Sequence, residues 1–488
     1  MGPVPPLLRD GRAVALAALV VLAAVVRFAT LGSQSYWTDE AVTVDLLQHD
    51  LGDLLSAIRA SESTPPLYYG LAWLWSQIFG TGEVAVRALS ALLGTATVPV
   101  VAAIAGRLGG RRAALIAAAL AATNPLLVWY SQEARAYALL VLLVAASLLV
   151  WLDALRAPTP RRLAGWGVLC ALALATHYFA VFTVAAEGLC LLVVLGRRHL
   201  RALLVAFAVP ALMAIVLAPL ALDQQSADRA SFIRSTSLAS RIAQIPKQLL
   251  VGYDAPAERL LSVLAALLVL AALVWLLVRR PWPRPLRWLA VVVVASLVVP
   301  VVLAPLGSDY VITRNVLGVI GGALALVAVG LARARPWWLG AGAAAALAAI
   351  GLVAAVGVAG SQALQRDDWR GAVRALGGGP RPRAVMVIPA SGKEAVELYL
   401  RSAEEPGPVG PAVREVDVLV IAARQPGAAR RTPPAPTAPP APGLVLAATR
   451  TSATWSVARF RPAGGATVPA SALPEATPYG PAAVLVER

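Results

Sequence analysis

The sequence predicts an α-helical polytopic membrane protein of about eleven transmembrane helices, ending in a small extracytoplasmic α/β domain. Three observations predict it. Hydrophobic residues fill 59% of the 488 positions and mean hydropathy is +0.72, whereas a soluble chain of this size needs far more polar surface to cover its core. Apolar runs of roughly 18 or more residues recur along the chain up to about residue 360, the length that crosses about 30 Å of hydrocarbon. The loops between those runs alternate in charge, arginine-rich on one side and carboxylate-rich on the other.

Taken in order, the apolar runs give spans near 13–31, 84–105, 113–130, 135–155, 163–177, 179–196, 202–222, 259–278, 287–306, 315–332 and 337–360. The N-terminal run resembles a signal peptide but lacks a small-residue cleavage site, so it is expected to stay as the first membrane helix. Arg107/Arg111/Arg112, Arg156/Arg161/Arg162, Arg197/Arg198/Arg201, Arg279/Arg280/Arg284/Arg287 and Arg333/Arg335 occupy alternate short loops. By the positive-inside rule those loops, and the N-terminus, face the cytoplasm. The opposite loops hold Asp39, Glu40, Asp53, Glu62, Glu133, Asp254, Glu258 and Asp309. An odd number of spans then places everything after about residue 361 outside the cytoplasm, in the cytoplasmic (plasma) membrane of a cell.

The net charge of +16 raises the question of nucleic acid. Only Lys247 and Lys393 are lysines, and the arginines punctuate apolar runs rather than forming a stripe with interleaved aromatics, so a nucleic-acid partner is not expected. Membrane lipids are. Cys170 and Cys190 lie inside apolar runs and read as packing residues, not a disulfide framework.

The chain divides into a membrane domain, 1–360, with a long loop at 32–83, and an α/β domain, 361–488, with a Pro-rich loop at 433–442. In the second domain, Val385–Pro389, Val416–Ala422, Leu444–Ala448, Thr454–Phe460 and Ala482–Val486 read as strands, and Trp369–Leu376 and Lys393–Leu400 as helices.

Residues 32–83 are too long for a mere connector. They begin Tyr36-Trp37-Thr38-Asp39-Glu40, continue through an amphipathic run (Val42, Leu46, Leu47, Leu51, Leu54, Leu55, Ile58) expected to lie along the interface, and reach Glu62-Ser63-Thr64-Pro65-Pro66-Leu67-Tyr68-Tyr69. A second cluster on the same side is Trp129-Tyr130-Ser131-Gln132-Glu133-Ala134-Arg135-Ala136-Tyr137. Arg135 starts a span, where an arginine is costly unless it meets an anion, and its planar fork suits phosphate. Plainer roles fit the same residues: Asp39 as a helix cap, Arg135 paired with Glu133 or a lipid headgroup. His177, in Thr176-His177-Tyr178-Phe179, falls at a helix end on the same side, where a packed histidine is the ordinary case. Glu187 sits mid-membrane and reads as a packing residue. No GxxxxGKS, HExxH or CxxC is present, nor a DxD-like element for a nucleotide sugar; Asp39 and Glu40 remain the pair that would hold a divalent cation, should one be used.

Asp39-Glu40 after the first helix, Thr64-Pro65-Pro66-Leu67-Tyr68-Tyr69, Arg87 and Ser131–Tyr137 together resemble the GT-C membrane glycosyltransferases. Among them, the bacterial relatives of protein O-mannosyltransferases and of the lipid A aminoarabinose transferase are the most similar in motif order and spacing, over most of residues 10–360. Many relatives carry a histidine before the Pro-Pro pair, where this chain has Thr64. Actinobacterial members often add an outer domain that begins with a motif like Asp368-Trp369-Arg370, which this chain also has.

The resemblance implies a GT-C fold and an inverting transfer of a sugar, such as mannose or a pentose, from a polyprenyl-phosphate donor to an envelope acceptor hydroxyl (protein, glycan or lipid). It implies Asp39 as general base, Glu40, Glu62 and Tyr68 as residues orienting acceptor or sugar, and Arg135, Tyr137, Arg314 and His177 around the donor phosphate. The competing reading is a transporter or flippase for a lipid-linked saccharide. Such proteins favour repeated halves and midplane ionisable residues; this chain has no visible repeat and crowds its polar residues on one side.

Overall fold

The computed structural model describes residues 6–227, 229, 231–407, 410–422 and 432–488. It is mostly helical, with a small sheet near the C-terminus. In chain order the helices are α1 (Pro6–Phe28), α2 (Thr38–Leu46), α3 (Leu51–Ser61), α4 (Leu67–Phe79), α5 (Glu83–Thr123), α6 (Pro125–Ser131), α7 (Tyr137–Arg156), α8 (Pro160–Thr176) and α9 (Ala180–Leu195). There follow α10 (Leu200–Ser226), α11 (Leu238–Val251), α12 (Glu258–Val278), α13 (Arg284–Leu303), α14 (Ile320–Ala332), α15 (Trp337–Gly360), α16 (Trp369–Leu376) and α17 (Lys393–Tyr399). Helix underlies each of the apolar segments read from the sequence. Among the described residues, 7 helices are long and apolar enough to cross a membrane, and Ala13–Phe28 and Ala180–Leu195 are shorter apolar helices.

The chain forms two compact units. The first comprises residues 1–31 and 49–357; the second comprises 32–48 and 358–488. The loop 32–83 is therefore shared between them, and its amphipathic run is two helices rather than one. Asp50, extended at φ −66° and ψ 152°, separates α2 from α3, and α3 buries Leu54 and Ile58 while Leu51 and Leu55 are exposed.

In the first unit α5 packs against α1, α7 and α14. Its 41 residues would span about 60 Å at 1.5 Å per residue, twice the hydrocarbon thickness. Gly110, at φ +74°, breaks it between Arg107 and Arg111/Arg112, a conformation open to glycine and strained for residues with a Cβ. Small residues let other helices approach closely: a Cβ at Gly330 of α14 would lie 2.2 Å from the Ala272 carbonyl oxygen of α12. Glu187 of α9 accepts hydrogen bonds from Ser147 Oγ of α7 (3.0 Å) and Trp166 Nε1 of α8 (2.5 Å), so the mid-membrane acid joins three helices.

Arg27, fully buried in α1, makes a further join. Its guanidinium donates to the carbonyls of Ala121 and Ala122, both at 2.9 Å, and to Ser131 Oγ at 3.1 Å. The acceptors are last-turn carbonyls of α5, which have no partner within their own helix and sit at its negative end. Asn124 then caps α6 by accepting from Leu127 N at 3.0 Å, with Pro125 in the first turn.

The second unit is built on a six-stranded mixed sheet: β1 (Arg383–Ile388), β2 (Ala403–Glu404), β3 (Val416–Ile421), β4 (Leu444–Thr451), β5 (Trp455–Pro462) and β6 (Ala483–Glu487). The spatial order is β2-β6-β1-β3-β5-β4. β1 and β3 run parallel and the remaining pairs antiparallel. β1 and β3 are buried along their whole length, matching their continuous apolar runs. On one face, α16 and α17 bury Trp369, Ala372, Leu376, Ala395 and Val396 against Val385, Val387 and Leu419, and Ala41 of α2 joins the same core. The Pro-rich stretch has no regular structure; Pro434 O accepts from Ser456 Oγ at 3.0 Å.

An ionic ladder crosses one end of the sheet. Arg383 donates to Glu487 at 2.6 Å and to Asp417 at 3.2 Å; Arg459 donates to Asp417 at 2.8 Å and Arg461 to Glu415 at 3.0 Å. Burial by itself would raise the Glu487 carboxyl, but Arg383, Ser402 and Arg381 together bring it below the ordinary carboxylate range. A depressed carboxyl adds stability above its unfolded pKa and loses it as pH falls through its folded value. Arg383→Met, which takes one guanidinium from Asp417 and Glu487 but leaves Arg459 on the first and Arg381 and Ser402 on the second, is expected to destabilise the second unit by about 1.5–3 kcal/mol. Chemical denaturation of the full chain checks this, and the wild type should also lose stability on acidification below the usual carboxylate range.

Candidate active site

Each unit carries part of the expected chemistry. In the first, the chain leaves α3 at Glu62, passes through Thr64-Pro65-Pro66 and enters α4, bringing Glu62 to Arg135 in the turn between α6 and α7. The pair is bidentate: Nη2 donates to Oε2 at 2.9 Å, and Nη1 to Oε1. Glu62 is 3% exposed and Arg135 8%. Tyr69 lies under the guanidinium with its ring centroid 5.7 Å away, and its hydroxyl meets Thr64 Oγ1 at 3.0 Å. Thr64 thus orients the ring beneath Arg135. Burial pushes the Tyr69 hydroxyl well up, opposed by Arg135 and reinforced by Glu62.

The sequence pointed Arg135 at a phosphate, with Glu133 or a headgroup as plainer partners; the structure adds Glu62, expected among the acceptor-orienting residues. Pro65-Pro66 accounts for the approach, since it turns the chain from α3 into α4 at this point. Backbone bonds hold the turn: Gln224, 4% exposed, donates to the carbonyls of Ile58 and Thr64 at 3.3 and 3.4 Å, and Arg229 to that of Glu62 at 2.9 Å. The other side of the pair is fixed by Gln132, whose Nε2 donates to Thr30 Oγ1 at 2.8 Å and to the carbonyls of Val26 and Arg27 at the end of α1. Arg87, fully buried, donates to Leu31 O at 2.8 Å. The Ser131–Arg135 motif is therefore half anchor and half site.

Tyr137 and His177 are neighbours, their ring centroids 5.6 Å apart. His177 is 3% exposed and its Nδ1 accepts from Phe179 N at 3.3 Å. Both Arg135 and Arg314 lie within electrostatic reach of it. Arg314 follows a loop that is held from α11: Arg241 grips Asp309 at 2.7 and 2.6 Å and the Val311 carbonyl at 2.9 Å. Those hydrogen bonds, with the charge of Arg241, hold the Asp309 carboxyl below its usual range. Arg314 itself stacks 5.2 Å from the Phe232 ring centroid. Tyr68 is fully buried, its hydroxyl 3.1 Å from Ser90 Oγ.

Asp39 and Glu40 belong to the second unit. The helix they open is capped at Trp37, not at Asp39. Glu40 is fully buried, and its Oε2 accepts from Trp37 N at 3.4 Å, reaching back over the first turn. Asp39 is partly exposed in that turn, where free N–H groups favour a carboxylate. Tyr36 N donates to Tyr399 Oη at 2.6 Å and Ser35 Oγ to Asp367 O at 2.8 Å, so the segment entering α2 is tied to the rest of its unit. Among the described residues, no group of three or more His, Cys, Asp or Glu side chains is placed to hold a metal ion.

The model of the dolichyl-phosphate-mannose-protein mannosyltransferase family matches residues 63–222, the stretch holding Thr64–Tyr69, Arg87, Ser131–Tyr137 and His177. The structure is similar to that of ArnT from Cupriavidus metallidurans in the apo state, with TM-score 0.58 at 13% identity, over 92% of this chain and 98% of that one. The same enzyme bound to undecaprenyl phosphate gives TM-score 0.56 at 14% identity, again over 92% and 98%. The fold is that of the GT-C glycosyltransferases. No curated protein sequence matches the chain. The likeness extends across both units, while the family model covers only the middle of the first.

Removing either member of the Arg135–Glu62 pair takes from a buried charge the opposite charge it is hydrogen-bonded to, an effect of about 3–5 kcal/mol. Glu62→Ala and Arg135→Ala are each expected to lower the thermal stability of the full chain, and the double variant to lose much less than their sum. Additive losses in that cycle would show the two side chains to be energetically independent.

Proposed function

We propose that the chain is an inverting glycosyltransferase, moving a sugar from a polyprenyl-phosphate carrier to an acceptor hydroxyl on the outer face of the cytoplasmic membrane. The observation that carries this reading is the buried Arg135–Glu62 pair beside Tyr137, His177 and Arg314 in a GT-C fold. A polyprenyl carrier is supported by the undecaprenyl phosphate held by the similar ArnT and by the lipid-phosphate donor in the matched family's description. The sugar is a hexose such as mannose, or a pentose.

Asp39 takes the proton of the acceptor hydroxyl as its oxygen attacks the anomeric carbon. The new C–O bond forms on one side of that carbon while the bond to the carrier phosphate breaks on the other, so configuration inverts and the electron pair leaves with the phosphate. Arg135 and Arg314 stabilise the charge that grows on the departing phosphate, a contribution on the order of 3 kcal/mol for one well-placed donor. With Nδ1 accepting from Phe179, the neutral His177 ring carries its proton on Nε2, a donor for the same phosphate, as is Tyr137. Glu62 acts through Arg135, whose fork it holds over the Tyr69 ring. Glu40 acts through α2, whose first turn it braces for Asp39. Tyr68 steadies the start of α4.

Asp39→Asn is expected to abolish transfer from a polyprenyl-phosphate sugar in membranes while expression and insertion persist; full activity would remove Asp39 as the base. The orientation is tested separately by labelling. Cys170 and Cys190 are buried, so a cysteine placed at Thr437 reports alone. It is expected to react with a membrane-impermeant reagent added outside, and reaction only from the cytoplasmic side would reverse the topology.

A further inference from the structure

The second unit contains an open polar cleft of about 200 Å³ between the Ser33–Ser35 segment and residues 362–374. Three of its lining side chains are arginines, Arg366, Arg370 and Arg374, against one acid, Asp368. That acid is already committed. Its Oδ1 caps α16 by accepting from Gly371 N at 2.9 Å, and its Oδ2 accepts from Gln362 Nε2 at 3.0 Å. Arg370 is locked to the opposite wall, donating to the carbonyls of Gly32 and Ser33 at 3.3 and 3.1 Å. That wall is braced again where Arg366 N donates to Gln34 Oε1 at 3.0 Å.

Arg374 differs from its neighbours. It is exposed, and among the described residues its side chain makes no hydrogen bond or ion pair. It stands one helical turn beyond Arg370, and like charges four residues apart on a helix repel. An anion between them would relieve that repulsion. Guanidinium forks match phosphate oxygens in geometry as well as charge, and the Gln and Ser groups around them suit the polar atoms next to a phosphate ester.

We propose that this cleft is a phosphate-binding site, separate from the residues assigned to the donor phosphate. The phosphate is carried either by a lipid headgroup or by a water-soluble ester. Because the Ser33–Ser35 wall runs within four residues of Asp39, the unit that carries the proposed base also carries this site.

The test uses the full chain in a neutral detergent, followed by its melting temperature during titration with glycerol phosphate and, separately, with short-chain phosphatidylglycerol. Arg374→Gln removes a side chain that holds nothing in the fold, so the variant should keep the wild-type melting temperature without ligand. The wild type is expected to be stabilised by at least one probe, and Arg374→Gln to need about tenfold more of it. Arg374→Lys, which keeps the charge and loses the fork, should fall between them. A response to phosphatidylglycerol alone assigns the phosphate to a headgroup, and a response to glycerol phosphate assigns it to a soluble ester. Superimposable titrations of wild type and Arg374→Gln with both probes would overturn the proposal.

Discussion

A helix that ends inside a membrane protein leaves its last carbonyls without partners, and hydrocarbon offers none. The first unit depends on the solution adopted at the end of α5. Arg27 reaches from α1 to two of those carbonyls and to Ser131, so one cation fixes α1, α5 and α6 at a single point. Gln132 adds bonds from the next residue back to α1. Arg135 therefore projects from a turn whose preceding residues are already immobilised, and its fork meets Glu62 without having to order the backbone as well. A buried ion pair gives little net stability of its own. Here it gives direction, keeping a guanidinium over the Tyr69 ring rather than free to rotate.

Much of this was legible in the sequence, for identifiable reasons. Membrane helices announce themselves through length and composition, and the second unit's strands β1, β3, β5 and β6 through short runs of branched apolar residues. The helix Trp369–Leu376 was readable to its limits because Asp368 is a strong cap and Gly377 follows the last apolar position. Arg135 stood out because an arginine at that depth contradicts its surroundings. Its partner did not, since the approach of Glu62 depends on how the Pro65-Pro66 turn folds over a distance of 73 residues in sequence.

What stayed hidden shares one character: interactions between a side chain and distant backbone. Arg27, Arg241, Gln224 and Arg229 belong to no motif in the sequence. Backbone carbonyls carry no residue identity, so no pattern of letters marks them as partners. The amphipathic run after Asp39 misled for the opposite reason: its apolar spacing continues across Asp50, while the backbone breaks there and the halves pack into different cores.

That division has a consequence in time. The segment 32–48 belongs to the same compact unit as 358–488, yet the ribosome makes it about 310 residues earlier. At roughly 5–20 residues per second, α2 waits on the order of 20–90 s for the last strand of the sheet that completes its core. Throughout that interval the stretch carrying Asp39 is tethered between α1 and α3, with Ala41 lacking the apolar surface that later covers it. Synthesis from one end of the chain to the other thus makes the Asp39 segment one of the first parts of the molecule to be made and one of the last to be fixed.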